Sequence, residues 1–600
     1  MQIADFDASN NLIELFLKRA DELADKPFLT AKHDGEWHSI SWREAAAQVC
    51  LIAESLLRLG LERGDRVVLV SENRPEWALA DLAIMAAGCI TTPAYITNTE
   101  RDHAHVLENS GARAAIVSDR KLARALLPAV IKTGIAEHVI GIEPLRSVQG
   151  NFRTYAWADL LQGDAAAART AVDERIAGIA RDDPACIIYT SGTSGAPRGV
   201  LLSHGAILRN VAGAAEVLAG DFGWTEERFL SFLPLSHALE HTAGLYLPIG
   251  LGADIWYAEG LDKLAANLEE CRPTFMIVVP RLFEMLRGRI VKQVEKQGKL
   301  ANFLLDRALD FAERQGAGQP RRLADWPIER LLDVTLRPKI RKRFGGHIKA
   351  LISGGAPLNP EIGAFFQSLG LVMAQGYGQT ESAPIVSVNY PSSGIKLDTV
   401  GPPLRGVEVK IADDGEILVR GELVMLGYWR NEEETARTIV DGWLHTGDIG
   451  HLDERGRIKI TDRKKDIIVN DKGDNIAPQK LEGMLTLQPE IAQAMVSGDK
   501  RPYVVALIVP DAEWACEWAQ ANGEKLDLAA LQALPAYRAT IRAAIDRVNA
   551  DLSVTEKVRQ FAFADEPFGI DNAMMTPSLK IRRGPIRERY GDRLAALYRD

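Results

Sequence analysis

The stretch that most restricts what this chain can become is YTSGTSGAPRGVLLSH, Tyr189 to His204. It follows the short apolar run Ala185 to Ile188 and leads into the helix-like segment Gly205 to Leu218. That order predicts a strand, a small-residue loop and a helix, which present backbone N–H groups and hydroxyls to phosphate oxygens. Gly192, Gly195 and Gly199 let the backbone approach closely, Thr190, Ser191, Thr193 and Ser194 supply donors, and Arg198 supplies fixed positive charge. The common NTPase loop would end in Gly-Lys-Ser/Thr, whereas this one ends in Pro197-Arg198-Gly199. A flexible linker shares the composition, but the flanking strand and helix favour a phosphate-gripping loop.

A chain of 600 residues exceeds one ordinary domain, and 46 % apolar residues suffice for sizeable cores, so at least two domains are expected. The net charge of -10 argues against nucleic acid as a general partner. Cys50, Cys89, Cys186, Cys271 and Cys516 are scattered and form no CxxC pair, which indicates neither a disulfide framework nor a zinc site and fits a cytoplasmic protein. The N-terminus has no secretory pattern. Leu82 to Thr99 is the longest uncharged stretch; Gly88 and Pro93 interrupt it, so it reads as a buried helix, turn and strand rather than a membrane span.

Segments 11–180 alternate helical and extended character, with helices over Ser41–Leu59, Pro75–Ala87, Thr99–Ser110 and Lys121–Thr133 and strands over Arg66–Ser71 and Ala114–Val117. This is the pattern of parallel βαβ units. His103 and His105, near a helix start, read as a solvated face. In the stretch Phe232 to Ile255, His237 and His241 would share one face of a helix, yet no third ligand for a metal is evident. Residues 281–349 hold 17 Lys/Arg against 8 Asp/Glu. Leu286, Ile290 and Val294, then Phe303, Leu304 and Leu309, give this segment an apolar face. It reads as a solvated basic insertion or as a helix lying peripherally on an anionic membrane.

LISGGAPLNPEI, Leu351 to Ile362, is a strand ending in Gly354-Gly355-Ala356-Pro357, and QGYGQTESAP, Gln375 to Pro384, follows one helix and strand later. Glycine pairs at strand ends let a flat base lie against backbone, and Tyr377 can stack on it. Thr380 offers a hydroxyl for phosphate and Glu381 a carboxylate for Mg²⁺, which prefers oxygen ligands.

These motifs, with GELVMLGYWRNEEETA, DGWLHTGDIG, RGRIKITDRKKDIIV and MMTPSLKIRR, resemble those of the adenylate-forming superfamily, and the run Asp441 to Glu482 resembles its long-chain fatty acyl-CoA synthetase branch. The resemblance covers about Trp42 to Arg583; Ser194 and Arg198 depart from the usual threonine and lysine. It implies an α/β fold, with a large N-terminal adenylate-forming domain of βαβ subdomains over 1–464 and a small mobile α+β C-terminal domain over 465–600, hinged at Lys465. It further implies that Gly376, Tyr377 and Gly378 with the Gly354–Pro357 segment bind adenine, that Asp448 accepts from ribose hydroxyls, and that Arg463 contacts ribose and phosphate. His237 would border the acyl pocket, with Phe232, Leu235 and Leu239 as candidate walls, and Lys580 would be the catalytic lysine. The implied reaction joins a long-chain fatty acid to coenzyme A through an acyl adenylate, using ATP and Mg²⁺, in a monomer or homodimer. A fatty acyl-AMP ligase serving a carrier protein, or an inert nucleotide- or acyl-binding protein, are the alternatives.

Overall fold

The computed structural model describes residues 6–145, 149–190, 197–316, 325–576 and 580–599. Among them, two eight-stranded sheets carry the larger, N-terminal domain. One runs edge to edge through Gly427–Tyr428, Arg198–Ser203, Pro184–Thr190, Ile90–Pro93, Arg66–Val70, Ala114–Val117, His138–Gly141 and Arg153–Ala156. The other runs through Ile385–Asn389, Met373–Gly378, Ala350–Ser353, Phe275–Val278, Arg228–Ser231, Asp254–Tyr257, Pro27–His33 and Glu36–Ser41. Their central strands pair parallel and are buried on both faces, as crossover helices require, with antiparallel pairs at the margins.

Local chemistry sets the helix starts. Ser41 caps Trp42–Arg58 in a reciprocal box with Glu44, Thr99 caps Glu100–Ser110 with Asp102, and Pro75 opens Pro75–Ala86 where its missing N–H costs nothing. One continuous core joins Trp42–Arg58 and Pro75–Ala86 to both sheets, while Glu100–Ser110 packs in a separate cluster with Val68, Val70 and Val117. Phe28 stacks on Trp42 at 3.9 Å between ring centroids, each ring fully buried, and burying such a side chain stabilises the fold by about 1.5–3 kcal/mol. The segment Leu82 to Thr99 is the expected helix end, turn and strand, and no helix among the described residues is long and apolar enough to cross a membrane.

A third sheet of Glu408–Ile411, Glu416–Arg420, Trp443–Leu452, Ile439–Val440 and Ile458–Arg463 leads to the smaller, C-terminal domain. There Ile491–Ser497, Val504–Pro510 and Val558–Phe563 form a three-stranded sheet packed by the helices Pro478–Leu485, Ala512–Asn522, Pro535–Ala550 and Arg583–Ala596.

Three sequence expectations need correction. The segment Arg198–Ser203 is a strand antiparallel to Pro184–Thr190, so the glycine-rich loop joins two strands, and the helix His204–Phe222 starts at the far end of the second one. The run VLLS is only four residues long and merges in the sequence with the helix that Ser203 caps, which hid the strand. His103 is buried, with Nδ1 unpartnered and burial holding it neutral down to about 4, and His105 is half-buried; neither is on a solvated face. In the basic segment, Ile290, Val294, Leu304 and Leu305 face a second core, but Phe303 is 48 % exposed.

Candidate active site

The glycine-rich loop is held at its base. Thr190 pairs across the hairpin with Arg198, and Tyr189 with Gly199. Tyr189 Oη donates to Asn109 Oδ1 at 2.6 Å, Trp429 Nε1 donates to the Asn109 carbonyl at 3.0 Å, and His105 Nε2 lies 2.8 Å from the Pro197 carbonyl. Ser191, Gly192, Thr193, Ser194 and Gly195 lie outside the described residues. The Arg198 guanidinium pairs with Glu434 and stacks 4.5 Å over the Tyr428 ring, while Tyr428 Oη donates to Glu381 Oε1 at 2.8 Å. The loop cation and the proposed metal carboxylate are therefore bridged by one tyrosine, Tyr428, which the motif GELVMLGYWRNEEETA carries.

Neighbouring parallel strands bring the base-binding segments together. Ser353 pairs with Gln375, so the turn Gly354-Gly355-Ala356-Pro357 and the strand end Gly376-Tyr377-Gly378 lie side by side. Gly355 has φ +81°, a conformation that favours glycine. A Cβ on Gly378 would fall 1.6 Å from the Pro384 carbonyl oxygen, so no other residue fits without backbone movement. Thr380 and Glu381 follow in a single 3₁₀ turn.

Asp448 and Arg463 are direct partners in the antiparallel pair Trp443–Leu452 and Ile458–Arg463. Arg463 Nε stands 3.2 Å from Asp448 Oδ1, and Tyr377 Oη donates to Asp448 Oδ2 at 2.7 Å. Burial raises the Asp448 carboxyl above its ordinary range against the pull of Arg463, Tyr377 and Lys580. Both carboxylate oxygens thus already face hydrogen-bond donors.

Lys580 reaches this place from the C-terminal domain. Its strand-like segment is tied by the bridge between Met575 and Ile581 and by Thr576 N–H donating to the Lys580 carbonyl at 2.8 Å. Arg583, at the start of the next helix, bonds Glu482 at 2.7 Å. The ammonium lies within electrostatic reach of Arg463, Asp448, Glu381 and His237. Burial, with added repulsion from Arg463, pushes it down to about 8 against Asp448 and Glu381. Lys465 is exposed, and Lys464 Nζ beside it pairs with Asp414 at 2.6 Å and Glu416 at 3.1 Å.

His237 and His241 do not share a helix face. His237 is the cap of a short turn, its Nδ1 accepting from Leu239 N–H at 3.2 Å; burial, and then the Lys580 charge, hold it neutral down to about 3. His241 opens a six-residue π-helix, His241–Tyr246, a form that concentrates at functional sites. It turns inward to Asp81 Oδ2 at 2.9 Å, where Tyr246 Oη also donates, and its ring meets Trp77 edge-on at 5.3 Å. Leu239 packs against Gly354, and Leu235 is buried with it, while Phe232 is half-buried. Glu240 is fully enclosed, takes a bond from Ser231 Oγ at 2.6 Å, and is pushed up to about 8 by burial. The sequence does not point to this pairing, because Asp81 lies 160 residues from His241 and 165 from Tyr246.

The residues fit Mg²⁺ only as an ion shared with phosphates. No cluster of three or more metal-ligating side chains occurs among the described residues, while Glu381 offers one carboxylate, which is how this hard cation is held beside nucleotides.

Comparison with known proteins matches residues 16–429 to the AMP-binding enzyme family and residues 465–600 to the AMP-binding enzyme C-terminal domain. The long-chain-fatty-acid–CoA ligase FadD15 of Mycobacterium tuberculosis is 34 % identical over 574 residues, 94 % of this chain and 93 % of that protein. Fatty acyl-CoA synthetase A of Dictyostelium discoideum is 30 % identical, covering 94 % of this chain and 86 % of its own. Among solved structures, the adenylation domain of a carboxylate reductase from Mycobacterium chelonae superposes with a TM-score of 0.76 at 21 % identity, over 99 % of this chain and 92 % of that one. The latter likeness bears on the fold alone.

Proposed function

The chain belongs to the AMP-binding enzyme family, and from that premise we propose that it is a long-chain fatty acid–CoA ligase. It activates the acid with ATP as acyl-AMP, releasing pyrophosphate, and then transfers the acyl group to coenzyme A, releasing AMP. The observation that carries the reading at the level of residues is the convergence of Lys580, from the C-terminal domain, on Asp448, Arg463 and Glu381 from the N-terminal one.

A carboxylate is a poor electrophile for a thiol. Attack of its oxygen on the α-phosphorus of ATP breaks the bond to pyrophosphate and leaves a mixed anhydride with AMP as a good leaving group. Negative charge grows on phosphoryl oxygens in this step, and positioned cations stabilise it. Lys580 bridges the attacking carboxylate and the α-phosphate, Arg198 and Thr190 at the hairpin serve the β/γ-phosphates, and Thr380 donates to phosphate. Asp448 and Arg463 hold the ribose, and the Gly354–Pro357 turn with Gly376, Tyr377 and Gly378 holds adenine. Glu381 would hold Mg²⁺, which neutralises phosphate charge when bound. His237, half-buried and held neutral, borders the acyl carbonyl.

In the second step the thiol sulfur attacks the acyl carbon and the bond to AMP breaks. Lys580 would obstruct that approach, so the small domain turns about an exposed pivot at Lys465. The test is incubation with ATP, Mg²⁺ and acids from acetate to palmitate, with and without CoA, and identification of products by mass. Acyl-CoA and AMP formed only from the longer acids are expected. Acyl adenylate unaffected by CoA would overturn the acceptor, and nucleotide binding without product would overturn catalysis.

A further inference from the structure

The strands Arg66–Val70 and Arg228–Ser231 belong to different sheets, yet the loops that follow them meet. The second loop, 232–237, carries His237 together with Phe232 and Leu235 and has Pro234 at its centre. Proline has no N–H with which to fasten a loop, so the backbone groups on either side of it need partners from elsewhere. Asn73 supplies them. Its Nδ2 donates to the Leu233 carbonyl at 2.6 Å and to Ser231 Oγ at 3.0 Å, and its Oδ1 accepts from Leu235 N–H at 3.0 Å. Both amide protons and the amide oxygen are thereby engaged.

The contact passes straight to the histidine. The Pro234 carbonyl, between the two clipped residues, accepts from His237 N–H at 2.9 Å. At the start of the loop, Ser231 Oγ takes a proton from Asn73 and gives its own to Glu240 Oε1 at 2.6 Å, which closes the segment Ser231–Glu240 at its base. Gly244 of the π-helix leaves room for that carboxyl, since a Cβ there would lie 2.5 Å from it.

Asn73 is itself firmly held. Arg74 beside it bonds Glu72 at 3.2 Å, Glu76 at 2.8 Å and Glu143 at 3.1 Å, and Pro75 opens a buried helix. An asparagine so near a helix start ordinarily bonds local backbone. The helix Pro75–Ala86 instead has no side-chain cap, and the Asn73 amide reaches 160 positions along the chain to Leu233.

We propose that Asn73 is a positioning residue for adenylation: it holds the loop 232–237 so that His237 and the apolar side chains beside it meet the carboxyl end of the acid. The inference rests on the ligase reading for the identity of that acid.

The experiment compares wild type with Asn73→Ala and Asn73→Asp. The aspartate keeps the side-chain shape and the acceptor for Leu235 N–H but removes the donor to Leu233 and Ser231, so it stays informative should the alanine variant be unstable. Equilibrium binding of dodecanoate and of AMP is measured, then KM and kcat for dodecanoate and for ATP in adenylation, with the melting temperature alongside. Misplacement of a reacting group by about 1 Å can cost about a hundredfold. The kcat/KM for dodecanoate should therefore fall about thirtyfold to a hundredfold and its dissociation constant rise about tenfold, while the KM for ATP and the affinity for AMP stay within about twofold of wild type. Variants that melt earlier but keep wild-type acid binding and kinetics per folded molecule would overturn the proposal, as would equal losses for acid and nucleotide. Wild-type protein that binds dodecanoate without forming adenylate would overturn the ligase reading instead, and the binding comparison would still decide the role of Asn73. Wild-type protein that binds no dodecanoate would overturn both.

Discussion

Asp448 and Asp81 are buried aspartates in similar company, since each accepts a tyrosyl hydroxyl, from Tyr377 and Tyr246 respectively. Their remaining partners set them apart. Asp81 is fully buried and is met by His241, also in the core, with Trp77 behind it. Asp448 is met by Arg463, whose side chain is 48 % exposed and which stands two residues before the proposed pivot, and by the field of Lys580 from the other domain. One carboxylate is locked among groups that never leave. The other shares its charge with Lys580 from across the domain boundary, a partner that the proposed rotation would exchange for substrate. The role of a buried acid is thus set less by its burial than by whether its partners can be replaced.

The sharpest way to break this comparison is to remove the exchangeable cation. Lys580→Met should slow adenylation by about 3–4 kcal/mol, a hundredfold to a thousandfold, as for other groups that stabilise developing charge. Thioester formation from supplied acyl adenylate should survive; equal loss of both half-reactions in a folded variant would show that Lys580 is not specific to the first. Asp81→Ala should act on stability instead. It strands two buried partners, so unfolding free energy should fall by about 2–3 kcal/mol, with the two half-reactions reduced alike per folded molecule. A selective loss of adenylation at unchanged melting temperature would erase the distinction between the two aspartates.

Smaller effects sharpen the same contrast. Lys465→Pro stiffens the proposed pivot and should lower thioester formation about tenfold while sparing adenylation, measured in separate half-reactions. Smallest is the pH effect. Because the Lys580 ammonium is pushed down to about 8, its charge is present below that pH and lost above it. Single-turnover adenylation should therefore fall about fourfold between pH 7 and 8.5. Glu240 is pushed up to about 8 and changes charge in the same window. If Glu240→Gln abolishes the decline, the titrating group is Glu240 and not the lysine.

Much of this arrangement is legible in one sequence because local rules and family motifs point the same way. Ser41 with Glu44, Thr99 with Asp102 and Pro75 mark helix starts within a residue. The alternation over 11–180 gives the parallel sheet, and the adenylate-forming family is readable from its ordered motifs. The misses have physical causes. Arg198–Ser203 is too short to show a period of two before a capped helix begins. His103 looks solvated because its neighbours Asp102 and Glu100 are polar, yet the helix turns it inward. The His241–Asp81 contact spans 160 positions, beyond any local pattern. A trace was present all the same, because Asp81 is the one charged residue between Trp77 and Ala87. An acid in so apolar a helix must find a donor elsewhere. The functional role of each site residue comes from the resemblance, and the structure adds which of them meet.

The depressed ammonium of Lys580 also bears on the order of events. In the site it is less well solvated than in water, so the approach of the two domains works against a restoring force that the phosphates of ATP offset. Loss of pyrophosphate removes much of that counterweight, leaving Arg463 and Lys580 to repel one another over a single phosphate. On the proposed reaction the site would then act as a ratchet: departure of the first product would favour return of the lysine toward water and uncover the acyl adenylate only after it has formed.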